Sequence, residues 1–341
     1  MNVPLKLCCI GILAALSAAL PVRAADQQTV IVVIGAPGTP EYGADFIKSA
    51  DAWANACKHA SAHYVEIGRG PLASQPATAA TPPHTDREIL QQALAAETKN
   101  TQPLWIVLIG HGTSDGKESK FNLRDLDFSD TELATWLKPL NRPIAVIDCS
   151  SASATFLTHL SGSDRVVITA TRAPSEVNYA RFGIYMAAAI ANPADDIDRD
   201  GQTSLLEAFL AASRATEDFY TSQGRLSTEH ALLDDNGDGL GVAADWFEGT
   251  RATRSARTGA PVDGTRAHQW SLIPSVEEQS LTPEMRTQRN AVELQIEALR
   301  RKKTTMAEAD YYTQLDALLL NLARLQLNRP ASSAQNASAP K

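Results

Sequence analysis

Four short runs built almost wholly of apolar residues constrain this chain more than anything else in it: Thr29 to Gly35, Leu104 to Gly110, Pro143 to Asp148 and Arg165 to Ala170. A strand with one wet face alternates apolar and polar residues. These runs do not alternate, so both faces of each must be buried, as in a parallel sheet covered by helices on both sides. The intervening segments supply the helices. Phe46, Ala50, Trp53 and Cys57 recur at helical spacing along Tyr42 to His59, Thr85-Asp86-Arg87-Glu88 opens another helix, and Asp130 to Leu137 and about Glu176 to Ala191 read as two more. Ala60 to Ile67 fits a returning strand. This alternation predicts an α/β fold with a doubly wound, mostly parallel sheet.

The two ends of the 341-residue chain differ in character. Lys6, the apolar run Leu7 to Leu20 and Val22-Arg23-Ala24 read as a signal peptide over residues 1–24, cleaved near Ala24. The mature chain is then periplasmic or secreted, with no membrane span left. Cys8 and Cys9 depart with the leader, so Cys57 and Cys149 are the only thiols left, in a compartment that permits them to pair. Residues 25–275 form the expected main domain, with 68–84 as a surface loop. Within 276–329, Thr282 to Leu327 gives two amphipathic helices broken near Lys303-Thr304-Thr305, with Leu294, Ile296 and Leu299 facing Leu315, Leu318, Leu319, Leu322 and Leu325. A helical hairpin docked on the main domain is the expectation, followed by a disordered tail over 330–341.

A formal charge of -8 without Lys/Arg runs excludes nucleic acid as the main partner and leaves a protein, a peptide, a small polar substrate or a cation. Gly35-Ala36-Pro37-Gly38 lacks the Lys-Ser/Thr ending of a phosphate-binding loop, and neither paired-Cys zinc spacing nor a Gly-x-Ser-x-Gly elbow occurs.

Two of the apolar runs end in residues with chemistry, His111-Gly112 and Asp148-Cys149. A helix between them makes a βαβ unit, whose right-handed crossover brings both carboxyl ends to one edge of the sheet. Thiol catalysis needs a nucleophilic sulfur, an imidazole to move its proton and N–H groups for the oxyanion. Cys149 and His111 fill the catalytic roles, and the backbone N–H groups of Gly112 and Cys149 are the oxyanion candidates. The alternative is a buried, inert Cys149.

A hydrophobic strand ending in His-Gly, then one ending in a residue plus Cys, resembles the peptidase clan of caspases, gingipains and legumains. Cys149-Ser150-Ser151-Ala152-Ser153 is closest to the legumain pattern of Cys, any residue, Ser-Gly-Ser, and the likeness runs from about Thr29 to Ile190. It implies a caspase/legumain-like fold and an endopeptidase or transpeptidase acting on protein or peptide through an acyl-thioenzyme. It also implies a primary specificity pocket in the segment after the fourth strand, with Arg172, Ser175 and Glu176 as its residues. The turn after the first strand departs from the pattern: legumains place an Asn there to orient the histidine, and Gly35-Ala36-Pro37-Gly38 offers only backbone carbonyls. The competing function is a catalytically inactive, calcium-stabilised binding module.

Calcium enters through two acidic loops. Asp196, Asp198, Asp200, Gly201, Ser204 and Glu207 match the calcium-loop pattern, with Gln202 offering its backbone carbonyl and an apolar helix following. The second loop places Asp234, Asn236, Asp238 and Gly239 similarly and ends on Asp245 at the twelfth position, with Val242 in place of a polar ninth residue. An Asx-rich turn capping a helix is the alternative for both. Any calcium here is structural, and catalysis needs no cofactor.

Overall fold

A computed structural model describes residues 27–70 and 84–327. The expected signal peptide, most of the 68–84 loop and the tail lie outside the described residues. In chain order the elements are β1 (Thr29–Ile34), α1 (Pro40–Ala60), β2 (His63–Ile67), α2 (Asp86–Ala96), β3 (Leu104–Ile109), the short strands β4 (Gly112–Ser114), β5 (Ser119–Phe121) and β6 (Phe128–Ser129), and α3 (Asp130–Leu137). There follow β7 (Ile144–Asp148), α4 (Ala154–Leu160), β8 (Arg165–Thr169), α5 (Phe182–Ala189), α6 (Leu205–Ser222), β9 (Leu232–Asp234) and the hairpin β10 (Phe247–Glu248) and β11 (Arg251–Ala252). The single turns α7 (Thr265–His268) and α8 (Val276–Gln279) lead to the long pair α9 (Pro283–Arg301) and α10 (Glu308–Leu327).

The main sheet runs β2-β1-β3-β7-β8-β9, parallel throughout except for β9, which pairs antiparallel with β8 at one edge. The four apolar runs of the sequence are its four central strands. Successive side chains explain why they do not alternate. Val30, Val32 and Ile34 pack under Phe46 and Trp53 of α1, while Ile31 and Val33 meet Leu90 and Leu94 of α2 on the other face. Helices α1, α5 and α6 cover the first face, and α2, α3 and α4 the second. Each large side chain buried in this way contributes about 1.5–3 kcal/mol.

Local chemistry sets the ends of the covering helices. Thr39 Oγ1 accepts from the Tyr42 N–H and Pro40 supplies the first helical residue of α1. The start of α5 differs from expectation, at Phe182 instead of about Glu176. The carboxylate of Glu229 accepts the N–H groups of Arg181 and Phe182 and so fixes the helix start there, leaving residues 170–181 as a loop over the sheet edge. The terminal helices form a hairpin docked through α9, which buries Val292, Ile296 and Leu299 and is pinned by Arg289 to Glu278. Leu315, Leu318, Leu322 and Leu325 of α10 are half-buried, but Leu319, expected in the same seam, stands 46% exposed at its flank. No helix among the described residues is long and apolar enough to cross a membrane.

The chain steps outward from β1 to β2, then returns to the other side of β1 to lay down β3, β7 and β8 in order. The reversal between β1 and β3 is a topological switch point, and crevices open outside the carboxyl ends of strands at such points. Gly35 to Gly38 and His111 lie there, with Cys149 one strand further on.

Candidate active site

The imidazole of His111 lies half-buried at that switch point. Its Nε2 lies 3.2 Å from the carbonyl oxygen of Pro37, in the turn after β1. A carbonyl only accepts, so Nε2 carries the proton and Nδ1 is left as the basic ring nitrogen. Tyr42, Phe46 and Tyr179 wall the ring edge-on, with centroids at 5.2, 5.4 and 5.8 Å. This half-burial depresses the histidine below its ordinary 6.5, while the Pro37 carbonyl partly opposes the shift. His111 is therefore a neutral imidazole at neutral pH, oriented by a backbone carbonyl where the turn offers no side-chain acceptor.

Cys149 follows β7, whose pairing with β3 runs from Leu104–Ile144 to Leu108–Asp148. The two reactive residues thus stand at neighbouring strand ends, but in contrasting states. The cysteine is 3% exposed and packs against α5, where a Cβ added to Gly183 would lie 2.6 Å from its own Cβ. Only glycine admits the sulfur here. Burial raises the thiol well above its usual 9.0, and the carboxylates of Asp148 and Glu229 add to the effect. The sulfur is protonated at neutral pH, and no hydrogen bond joins it to His111, whose Nε2 is turned to the Pro37 carbonyl. Cys57 is also a free, buried thiol on the same core face, pushed up to about 12 by desolvation, so the pairing permitted by composition is not formed.

Both expected oxyanion donors are spent. The Cys149 N–H continues the sheet ladder to the Leu108 carbonyl at 2.9 Å, and the Gly112 N–H donates to Ser151 Oγ at 3.2 Å. Ser151 in turn donates to the Gly112 carbonyl at 3.2 Å. Glycine at 112 permits this approach, since a Cβ would fall 2.2 Å from the Ser151 carbonyl oxygen. The turn after the cysteine is thus latched to the turn after the histidine.

That turn is held from beneath by Asp148, whose Oδ1 accepts from the Ser150 N–H at 2.9 Å and Oγ at 2.6 Å. Its Oδ2 is buried without a partner, and desolvation raises the carboxyl to about 7. Ala152, which stands where the legumain pattern has Gly, takes a left-handed φ of 53°. From above, the 170–181 loop closes over the turn, as the Ala152 N–H donates to the Glu176 carbonyl at 2.8 Å and Thr171 bonds Ser153. The Glu176 carboxylate, expected to line a pocket, is instead a clasp. It accepts from His230 Nδ1 at 2.6 Å, from the His230 N–H at 3.2 Å and from the Arg172 N–H at 3.0 Å. Arg172 and Ser175 are exposed on the rim, with the Arg172 guanidinium 3.5 Å from Glu176. Glu229 and His230 had no sequence signal, because their contacts are remote in sequence; Pro37 and Ser151 stand inside motifs the sequence shows, but their partners there, the His111 ring and the Gly112 backbone, do not follow from the motifs.

The first acidic loop closes as its pattern requires. Asp196 accepts from Asp200 and Gly201, Asp198 from Asp200, and Asp200 from Gln202. Ser204 caps α6, which returns Glu207 to the loop, where its Oε1 accepts the N–H groups of Ile197 and Asp198. Donor oxygens of Asp196, Asp198 and Glu207 lie within 4.8 Å of one another, although His268 Nε2 also reaches Asp198 at 2.8 Å. In the second loop Asp234, Asn236 and Asp238 are arranged alike, but Asp245 is exposed and takes no part. Val242 exchanges both hydrogen bonds with Leu233, and Asp245 follows on a short 3₁₀ turn, Ala244–Trp246, instead of on a long helix like α6.

No protein-family model and no curated protein sequence matches this chain. Among solved structures it is similar to the initiator caspase Dronc of Drosophila, with 15% identity over 72% of this chain and 94% of that one and a TM-score of 0.41. It is also similar to caspase-1 from Spodoptera frugiperda, with 9% identity over 61% and 86% of the two chains and a TM-score of 0.37. Likeness at this level concerns the chain path alone.

Proposed function

We propose that this chain is an exported, legumain-like cysteine endopeptidase or transpeptidase whose dyad rests in a latched state. The observation that carries the reading is the His111–Pro37 bond at the switch point, which orients a neutral imidazole beside the strand that ends in Cys149. Nδ1 takes the thiol proton as sulfur bonds to the substrate carbonyl carbon. The imidazolium then returns that proton to the leaving amine as the C–N bond breaks, giving an acyl-thioenzyme that water or a second amine resolves. Turnover requires Ser151 to release the Gly112 N–H, the 170–181 loop to lift from the turn after Cys149, and the sulfur to leave its seat against Gly183. Export rests on residues 1–24, and a protein or peptide substrate on the resemblance to the clan.

The test is labelling of Cys149 by a carbonyl-directed electrophile, with calcium present and after mild reduction. His111→Ala should reduce the labelling rate by about 10²- to 10⁴-fold, and Cys149→Ala should abolish it. A second reading, a binding module without turnover, is favoured by the burial of the sulfur and the occupied N–H groups. Failure of the probe to label Cys149 in both the wild type and the loop-opening Glu176→Gln variant would establish that reading and end the first.

The same proposal includes a structural calcium in the first loop, held by Asp196, Asp198, Asp200, the Gln202 carbonyl and Glu207, with Ser204 serving as helix cap. Calcium at a hundredfold excess over Kd should stabilise the protein by about 2.7 kcal/mol. Chelation should remove that gain, and Glu207→Gln should remove this loop's share of the calcium-dependent rise in melting temperature.

A further inference from the structure

We infer that Asp263 is the closing ligand of a second calcium site, completing the loop that begins at Asp234 from a point far along the chain. The inference rests on the calcium reading of the first loop, because the two loops share five of their hydrogen bonds position for position. The first carboxylate of each accepts the N–H five residues on, Asp196 from Gly201 and Asp234 from Gly239. The third residue accepts two residues on, Asp198 from Asp200 and Asn236 from Asp238, and so does the fifth, Asp200 from Gln202 and Asp238 from Leu240. In the first loop the N–H groups of residues two and three, Ile197 and Asp198, point at one oxygen of the closing Glu207. In the second, the same two positions are Asp235 and Asn236. Their N–H groups point at Oδ1 of Asp263, at 3.0 and 3.3 Å.

The independent observation is an unused oxygen. Asp263 is only 1% exposed, and its Oδ2 is buried without a hydrogen-bond partner; the Oδ2 of Asp238 is buried and unpartnered too. Asp234, Asp235 and Asp263 are all buried, and among the described residues no Lys or Arg forms an ion pair with any of them or with Asp238. Asp235 is accounted for, since its two oxygens cap the N–H groups of Gly264 and Ala267. Lone carboxylate oxygens in a dry, uncompensated cluster are expensive, and a hard cation with several oxygen ligands removes that cost. Gly264 at φ 105° makes the bend that delivers Asp263, where a Cβ would meet the Phe247 ring at 2.6 Å. Calcium here would tie β9 to the segment that leads into the terminal hairpin.

Calcium titration of the full chain by calorimetry tests this. Wild type should take up two equivalents, Asp263→Asn should lose one or weaken it at least tenfold, Glu207→Gln should lose the other, and Asp245→Asn should keep both. Two unaltered equivalents in Asp263→Asn, or loss of one in Asp245→Asn, overturns the assignment. If Asp263→Asn does not fold, Asp238→Asn probes the same site through the other unpartnered oxygen, and retention of both equivalents there refutes it. A wild type that binds no calcium overturns the reading of both loops. A single equivalent that survives Asp263→Asn but not Glu207→Gln overturns this site alone.

Discussion

The carboxyl ends of β3 and β7 are neighbours in one sheet, yet they hold their reactive side chains in opposite conditions. His111 is half-buried at the switch point, oriented by a carbonyl and bordered by three aromatic rings. Cys149, one strand away, is turned into the core against Gly183 with its proton locked on. Parallel strands make adjacency inexpensive to specify, but activation is a separate matter. It depends on which side chains meet the strand ends, and here Asp148, Ser151, Glu176 and Glu229 keep the sulfur back while only Pro37 prepares the base.

The contrast is most strongly broken at Asp148. Its carboxyl is raised from 3.8 to about 7 by burial, so the folded state holds this proton more tightly than the unfolded chain does. The stability associated with it is complete below about pH 4 and is lost as pH rises through about 7, an effect on the order of 4 kcal/mol. Asp148→Asn should flatten that slope in denaturant melts between pH 4 and 8. At the acid end the change should be small, under about 1 kcal/mol, because the protonated carboxyl already leaves its Oδ2 donor without a partner, as the amide would. An unchanged slope would mean that another group carries the pH dependence. Next in size is Gly183→Ala, whose methyl collides with the Cys149 Cβ. It should destabilise by about 1–3 kcal/mol and, if the turn yields instead, increase probe labelling of the displaced thiol.

The unequal preparation of the two ends also explains what could be read beforehand. The four central strands were legible because burial on both faces writes itself as unbroken apolar runs, and the βαβ crossover then joins His111 to Cys149 without further information. The edge strand β9 was not, since Leu232-Leu233-Asp234 is short and its last residue belongs to a loop. The start of α5 was misplaced because its cap, Glu229, lies on another element. The Gly112 N–H, an oxyanion candidate by sequence, donates instead to Ser151, whose approach only a glycine at that position admits. The first acidic loop was complete in sequence because α6 returns Glu207 to it; the second was not, because a hairpin at Val242 leaves the closing position to a distant residue.

Two smaller changes sharpen the comparison from the cysteine side. Glu176→Gln removes the charge that clasps His230 and the 170–181 loop, so labelling of Cys149 should rise about tenfold, equivalent to 1.4 kcal/mol, with His111 labelling dependence intact. A drop in labelling would place the loop among the parts that build the site instead of those that close it. The smallest effect is expected at Ala152→Gly. A left-handed φ of 53° costs an L-residue about 1–2 kcal/mol, and glycine returns most of that through its greater entropy in the unfolded chain. A net gain of about 0.5 kcal/mol should appear in chemical melts. If labelling rises along with stability, the strain at Ala152 is part of what holds the turn shut; if only stability changes, the latch resides in Ser151 and Glu176.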